Sequence, residues 1–292
     1  MIGPSGPISF LEMPVVRHAL LMSLLLFVAD ASAVVIRDDV PDLKYRMAAS
    51  DFPALADLPG EGHGVLIAPD WVVTVAHAVS WQGHLDVVVV GGTPRAVRRV
   101  VIHPGYKVPP EAMVQAALAS GDWEAFFEFL AASDDLALIQ LAEPVGDVVP
   151  VAIHRDPGVG QLVRIMGRGA TGNGVTGYPL QSRNRTDLRQ GHNEIVEAGG
   201  RWLTYRFDAP PAALELEAAT GSGDSGGPIL VMEGDQWRLA GLAAWKRGQV
   251  VGTEIRQGRY GEISYGVRLA HYSDWMGQIL AEAGDSSETA SQ

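Results

Sequence analysis

A hydroxyl, an imidazole and a carboxylate sit in short, distinctive segments of this chain. In chain order these are Thr74-Val75-Ala76-His77, then Asp135-Leu136-Ala137-Leu138, then Gly223-Asp224-Ser225-Gly226-Gly227-Pro228. A serine hydroxyl is a weak nucleophile at neutral pH. It becomes an effective one when an imidazole takes its proton and a carboxylate orients that imidazole. The glycines around Ser225 let the backbone turn tightly and present bare N–H groups to an oxyanion. Together these residues would carry out acyl transfer. The competing reading for each is ordinary: a partly buried histidine, a solvated turn aspartate and a serine in a glycine-rich loop.

The order histidine, aspartate, serine separates two architectures. Gly223-x-Ser225-x-Gly227 also fits a nucleophile elbow on an α/β sheet, where the acid and then the histidine follow the serine. After Ser225 the only histidine is His271, in a stretch, 268–280, that reads as an amphipathic C-terminal helix. Glu233 and Asp235 lie in a hairpin-like turn, so the elbow reading is weak.

The elements that must position these groups read as strands. Gly64 to Ile67, a turn at Ala68-Pro69-Asp70, and Trp71 to Val75 form a β-hairpin with His77 just beyond it. Further strands are expected at 85–90, 97–102, 136–141, 149–153, 162–166, 202–207, 228–232, 237–245 and 263–269, with 167–174 and 182–200 as loops. Between Pro109 and Ser133 the composition turns helical, in two pieces separated by Ser120-Gly121-Asp122. No internal repeat is visible.

The chain has 292 residues, 34 glycines and 18 prolines, which suits one large or two smaller cores built from short strands and many turns. A net charge of −12 with no basic stripe argues against a nucleic-acid partner. Arg17 and His18 precede a short apolar run, 19–28, and Ala31-Ser32-Ala33 matches a small-x-small cleavage site, so residues 1–33 read as a secretion signal. Met13 would start a leader of more ordinary length than Met1. The run is too short to span a bilayer, so no membrane anchor is expected once the leader is removed. There are no cysteines. A secreted or periplasmic chain without disulfides must hold itself together by packing alone. Asn184-Arg185-Thr186 matches a glycosylation sequon, which we read as a chance occurrence. No metal-ligand cluster is apparent, and neither metal nor cofactor is expected.

Given the three motifs, their order and this density of strands, residues 34–282 resemble the trypsin and chymotrypsin-like serine peptidases, in particular secreted bacterial members. Gly167-Arg168-Gly169, Ala244-Trp245 and Trp275 extend the likeness. The resemblance implies an all-β fold. It would comprise two perpendicular six-stranded antiparallel barrels, a C-terminal helix, a short helical insertion and a flexible tail at 283–292. It implies Ser225 as nucleophile, His77 as base and then acid, and Asp135 as the orienting group, preferred over Asp134 because it directly precedes Leu-Ala-Leu. The N–H groups of Gly223 and Ser225 would form the oxyanion hole. A polypeptide is the implied substrate.

By the same resemblance, Ala219 and Thr220 lie at the base of the primary specificity pocket, with Ala244, Trp245 and Lys246 along its bordering strand. The family usually has Ser-Trp-Gly there, and its serine donates to the triad aspartate. With no carboxylate at Ala219, the expected preference before the scissile bond is a small or medium apolar residue, or an acidic one if Lys246 and Arg247 turn inward. Cleavage after Ala33 would free the amine of Val34 to pair with Asp224, although Arg37-Asp38 replaces the usual Gly-Gly. The helical insertion is expected to border the upstream side of the cleft. Two other activities compete: a catalytically silent binding module on the same fold, and an esterase using the same site.

Overall fold

The structure, a computed structural model, describes residues 34–178, 187–251 and 254–289. The leader at 1–33 and the sequon at Asn184 lie outside these residues. Strand β1 (Val35–Ile36) runs along β11 (Ala218–Ala219), pairing Val35 with Ala219. The first barrel consists of β2 (Leu55–Asp57), β3 (His63–Ala68), β4 (Trp71–Thr74), β5 (Val87–Val90), β6 (Thr93–Ile102) and β7 (Ala137–Leu141). The second consists of β8 (Leu162–Gly167), β9 (Arg189–Gly199), β10 (Trp202–Arg206), β12 (Pro228–Glu233), β13 (Gln236–Arg247) and β16 (Ile263–Arg268). A small ribbon, β14 (Gln249–Val251) with β15 (Glu254–Arg256), stands apart.

Both barrels are closed, antiparallel and six-stranded. Counting each barrel's own strands one to six in chain order, both follow the neighbour order one-two-three-six-five-four. The repeat therefore exists in topology although none is visible in the sequence. Closure leaves neither barrel a free sheet edge for another chain to pair with.

The strands form where β-branched and apolar residues can pack on a pleated surface. Every residue of β4 and β7 is buried, and the two pair with Val73 opposite Leu138 and Thr74 opposite Ala137. Burying each such Val or Leu side chain stabilises the fold by about 1.5–3 kcal/mol. Because the strands are antiparallel, the end of β4 lies beside the start of β7. His77 follows the first and Asp135 precedes the second, so this register brings them together. The second barrel closes around Val163, Ile165, Ile195, Leu203, Tyr205, Ile229 and Val231.

Two expectations fail. The apolar stretch 149–153 is not a strand: it has a single bridge, Ile153 to Leu239, and Val149 is 83% exposed. The supposed loop 182–200 contains the long strand β9. Its inward positions alternate Arg189, Gly191, Asn193 and Ile195, and the polar ones are satisfied by distant partners: Arg189 by Asp42, and Asn193 by the carbonyl of Ala218.

The helical segment forms α1 (Glu111–Ser120) and α2 (Glu124–Ala131). Gly121, at φ 75°, ends α1 in a left-handed turn whose N–H donates to Ala117 O at 2.8 Å. After β16, a 3-10 turn at Leu269–Tyr272 leads into α3 (Ser273–Thr289); Tyr272 of the turn and Met276 of the helix join the hydrophobic cluster that includes the first barrel's core.

Candidate active site

A line of hydrogen bonds joins the three sequence motifs. His77 Nδ1 lies 2.7 Å from Asp135 Oδ2, and His77 Nε2 lies 2.8 Å from Ser225 Oγ. An ionised carboxylate only accepts, so Nδ1 carries the ring proton and leaves Nε2 free to accept from the serine hydroxyl. The backbone N–H of His77 also donates to Asp135 Oδ1 at 2.8 Å, so the carboxylate grips both the main chain and the ring of the same residue. Burial pulls the imidazole down, but the charge and hydrogen bond of Asp135, helped by Glu61, outweigh it and hold His77 above its ordinary value.

Asp134 takes a separate role. Its Oδ1 accepts from Arg201 Nε at 2.5 Å and from Tyr272 Oη at 3.0 Å, and its N–H donates to Gly105 O. It thus ties the first barrel to the turn before β10 and to the C-terminal segment. Burial alone would raise its carboxyl, but Arg201 and Tyr272 bring it below the usual range. The backbone turns tightly between the two, with the Leu136 N–H donating to Asp134 O at 2.9 Å, and only Asp135 reaches His77.

The segment around Ser225 is shaped by a buried carboxylate. Asp224, with no exposed surface, accepts from the backbone N–H groups of Gly169 at 2.7 Å, Gly221 at 2.7 Å and Val34 at 3.0 Å. Gly223 sits at φ 84°, where a side chain would be strained. Gly226 sits at φ 76°, and a Cβ there would overlap the carbonyl oxygen of His63.

Sequence reasoning passed over His63. Its imidazole is buried, with Nε2 accepting the N–H of Arg168 at 3.0 Å and Nδ1 donating to Asp57 at 3.1 Å. Its own N–H donates to Ser225 O at 2.7 Å, and its carbonyl accepts from Thr74 Oγ1 at 2.6 Å. The residue therefore pins the main chain of Ser225 to the first barrel and the Gly167–Gly169 turn to the same point. The only sequence trace was a histidine between two glycines at the start of a strand.

The N-terminal segment and the residues matched to the pocket also converge here. Val34 and Ala219 are fully buried, and Arg37 and Asp38 have anchors of their own, Leu214 O at 2.6 Å and Tyr260 Oη at 2.6 Å. Ala244 is half-buried, and Trp245 stacks on Tyr265 with centroids 3.7 Å apart. Phe127 of α2 stacks over Trp245 as well, Trp202 Nε1 donates to Ala131 O at 2.8 Å, and Arg247 pairs with Glu124. The insertion is thus bound to β13 of the second barrel. Thr220 O accepts from Lys246 Nζ at 2.8 Å.

Comparison with known proteins bears on the family of the chain. The chain is 26% identical over 259 residues to vitamin K-dependent protein C of Mus musculus, covering 76% of this chain and 47% of that protein. It is 28% identical over 251 residues to the complement C1s subcomponent of Rattus norvegicus, covering 76% of this chain and 32% of that protein. The chain thus spans half or less of the length of these two relatives. The family model described as Trypsin matches residues 45–276, a span that holds both barrels and all of His77, Asp135 and Ser225, and the chain belongs to the trypsin family.

Proposed function

We propose that the protein is a secreted or periplasmic serine endopeptidase that hydrolyses peptide bonds through an acyl-enzyme on Ser225. The observation that carries this reading is the unbroken line Ser225 Oγ, His77 Nε2, His77 Nδ1, Asp135. In this mechanism His77 accepts the serine proton as the hydroxyl oxygen attacks the carbonyl, then delivers it to the leaving amine. Asp135 keeps the proton-bearing nitrogen facing itself and stabilises the imidazolium. The N–H groups of Gly223 and Ser225 hold the oxyanion, aimed by the Asp224 contacts.

A fluorophosphonate should label the wild-type chain once and Ser225→Ala not at all. Labelling with peptide cleavage supports the endopeptidase. Labelling with ester turnover alone would favour the esterase, and no labelling the silent binding module.

The pH dependence follows from the site. The base works only when neutral, so cleavage is expected to fall as pH drops through a value above the ordinary imidazole pKa of about 6.5. Glu61 raises His77 by its charge, and Glu61→Gln should therefore shift the acid limb to lower pH. A kcat/KM profile measured between pH 5 and 9 checks both the position and the sign.

Activation would follow from removal of the leader. Val34 is a β-branched residue at φ 23°, an unfavourable conformation, and its nitrogen already lies 3.0 Å from Asp224. Cutting the bond after Ala33 would abolish that φ constraint and turn a neutral hydrogen bond into an ion pair. The N-terminal sequence of active secreted protein is expected to begin at Val34. A start well beyond Ile36 would count against this route.

A further inference from the structure

The residues matched to the primary pocket contain a cation that the family pattern does not supply. Lys246 stands on β13 opposite Ser264 of β16, and cross-strand partners share a face. From there its side chain crosses to the segment leading into the nucleophile, where Nζ meets Thr220 O at 2.8 Å and lies 4.9 Å from the centre of the Tyr178 ring. Thr220 is three residues before Gly223, whose N–H is assigned to the oxyanion. An acyl group seated in that hole would direct its side chain toward this segment.

The surroundings suit a buried charge pair with one member missing. Burial disfavours the ammonium, yet Tyr178 and Glu262 more than compensate and Lys246 stays charged. Two acids are near. Asp224 is occupied by three backbone donors. Glu262 is buried and its Oε2 accepts from the Gly258 N–H at 2.9 Å; among the described residues no carboxylate oxygen lies within ion-pair distance of Lys246 Nζ. Among the described residues Oε1 of Glu262 has no hydrogen-bond partner, and Ser264, 1% exposed, has the buried Tyr205 as its other cross-strand neighbour. Lys246 as a whole residue is only half-buried, although its ammonium is engaged with Thr220 O. Its neighbour Arg247 turns away to Glu124 and the face of Phe127.

We propose that Lys246 is the specificity-determining residue of this site and that it selects substrates with glutamate or aspartate immediately before the scissile bond. The proposal rests on the serine peptidase reading above. A substrate carboxylate would replace the neutral Thr220 carbonyl as acceptor of the Lys246 ammonium. An arginine or lysine would bring a second cation into the same space. An apolar side chain would cover the ammonium without offering it an acceptor.

The test uses the full chain, secreted with its own leader, on fluorogenic peptides that differ only at the residue before the scissile bond: Glu, Gln, Asp, Asn, Ala, Leu and Arg. The Glu/Gln pair isolates charge from shape. A ratio of kcat/KM for Glu over Gln of about ten to a hundred is expected, the range of a charge-assisted hydrogen bond. Lys246→Met and Lys246→Gln, each verified as folded by its thermal melt, should bring that ratio to about one. Preference for Ala, Leu or Arg in the wild type, or a Glu/Gln ratio unchanged in both folded variants, would overturn the proposal. Fluorophosphonate labelling of the wild type separates the two levels. A labelled protein without acidic preference loses only the pocket assignment, whereas an unlabelled one loses the peptidase reading and this proposal with it.

Discussion

Ser225→Ala is expected to lower kcat/KM on a peptide by about six orders of magnitude, and His77→Ala by a similar factor, because the two side chains act as one proton-transfer unit. For the same reason the double variant should be no worse than either single one. Asp135→Asn should cost less, about four orders of magnitude, by presenting the wrong imidazole tautomer to Ser225. None of these losses should come from unfolding. Ser225 is partly exposed and its hydroxyl bonds to His77 alone among the contacts described, so thermal melts should stay close to wild type. The measurement is steady-state hydrolysis of one peptide by each variant beside its melting curve. A folded Ser225→Ala protein within tenfold of wild-type activity would refute the assignment of the nucleophile.

Asp224→Ala should be almost as damaging, through a different physical route. The carboxylate is completely buried and accepts three main-chain N–H groups, from Val34, Gly169 and Gly221. Removing it strands those donors away from water, at about 1–3 kcal/mol each. The Gly221–Ser225 segment, which carries the proposed oxyanion donors Gly223 N–H and Ser225 N–H, would then be free to rearrange. Loss of an oxyanion donor typically costs about 10² to 10³ in kcat. The variant should therefore show a fall in kcat of at least that size, slower fluorophosphonate labelling and a melting temperature lower by at least about 6 °C. Asp224→Asn should lie close to it, since an amide nitrogen facing a backbone N–H repels where the carboxylate accepted. Labelling at the wild-type rate in either variant would show that the buried carboxylate does not shape the site.

Much of the candidate site is legible because its constraints are local. Thr74 to His77 can be read as a strand ending in a histidine. Gly223 to Pro228 can be read as a tight turn, because glycine is required where φ is positive, as at Gly223 and Gly226. Strands β4, β7 and β12 were readable for a related reason: they are buried along most of their length, so their sequences are nearly continuous apolar runs.

Elsewhere the same reasoning lacked a signal. β9 points Arg189 and Asn193 inward, and what makes that affordable is Asp42 and the Ala218 carbonyl, 147 and 25 residues away. The segment 149–153 has the composition of a strand but makes only isolated backbone hydrogen bonds, to Leu66 and Leu239, in place of a ladder. His63 holds the main chain of Ser225 through contacts to Ser225, Thr74 and Arg168 that span both barrels.

The sequence by itself determined which groups could do chemistry, the order in which they occur and the turn that carries the serine, since each depends on residue type and near neighbours. Only the tertiary structure decided that Asp135 faces His77 while Asp134 ties the barrels together, that Val34 reaches Asp224, and that Lys246 bends to Thr220. These outcomes depend on strand register and on contacts between distant segments. A long, flexible lysine side chain in particular takes its direction from the charges and carbonyls that the fold places around it.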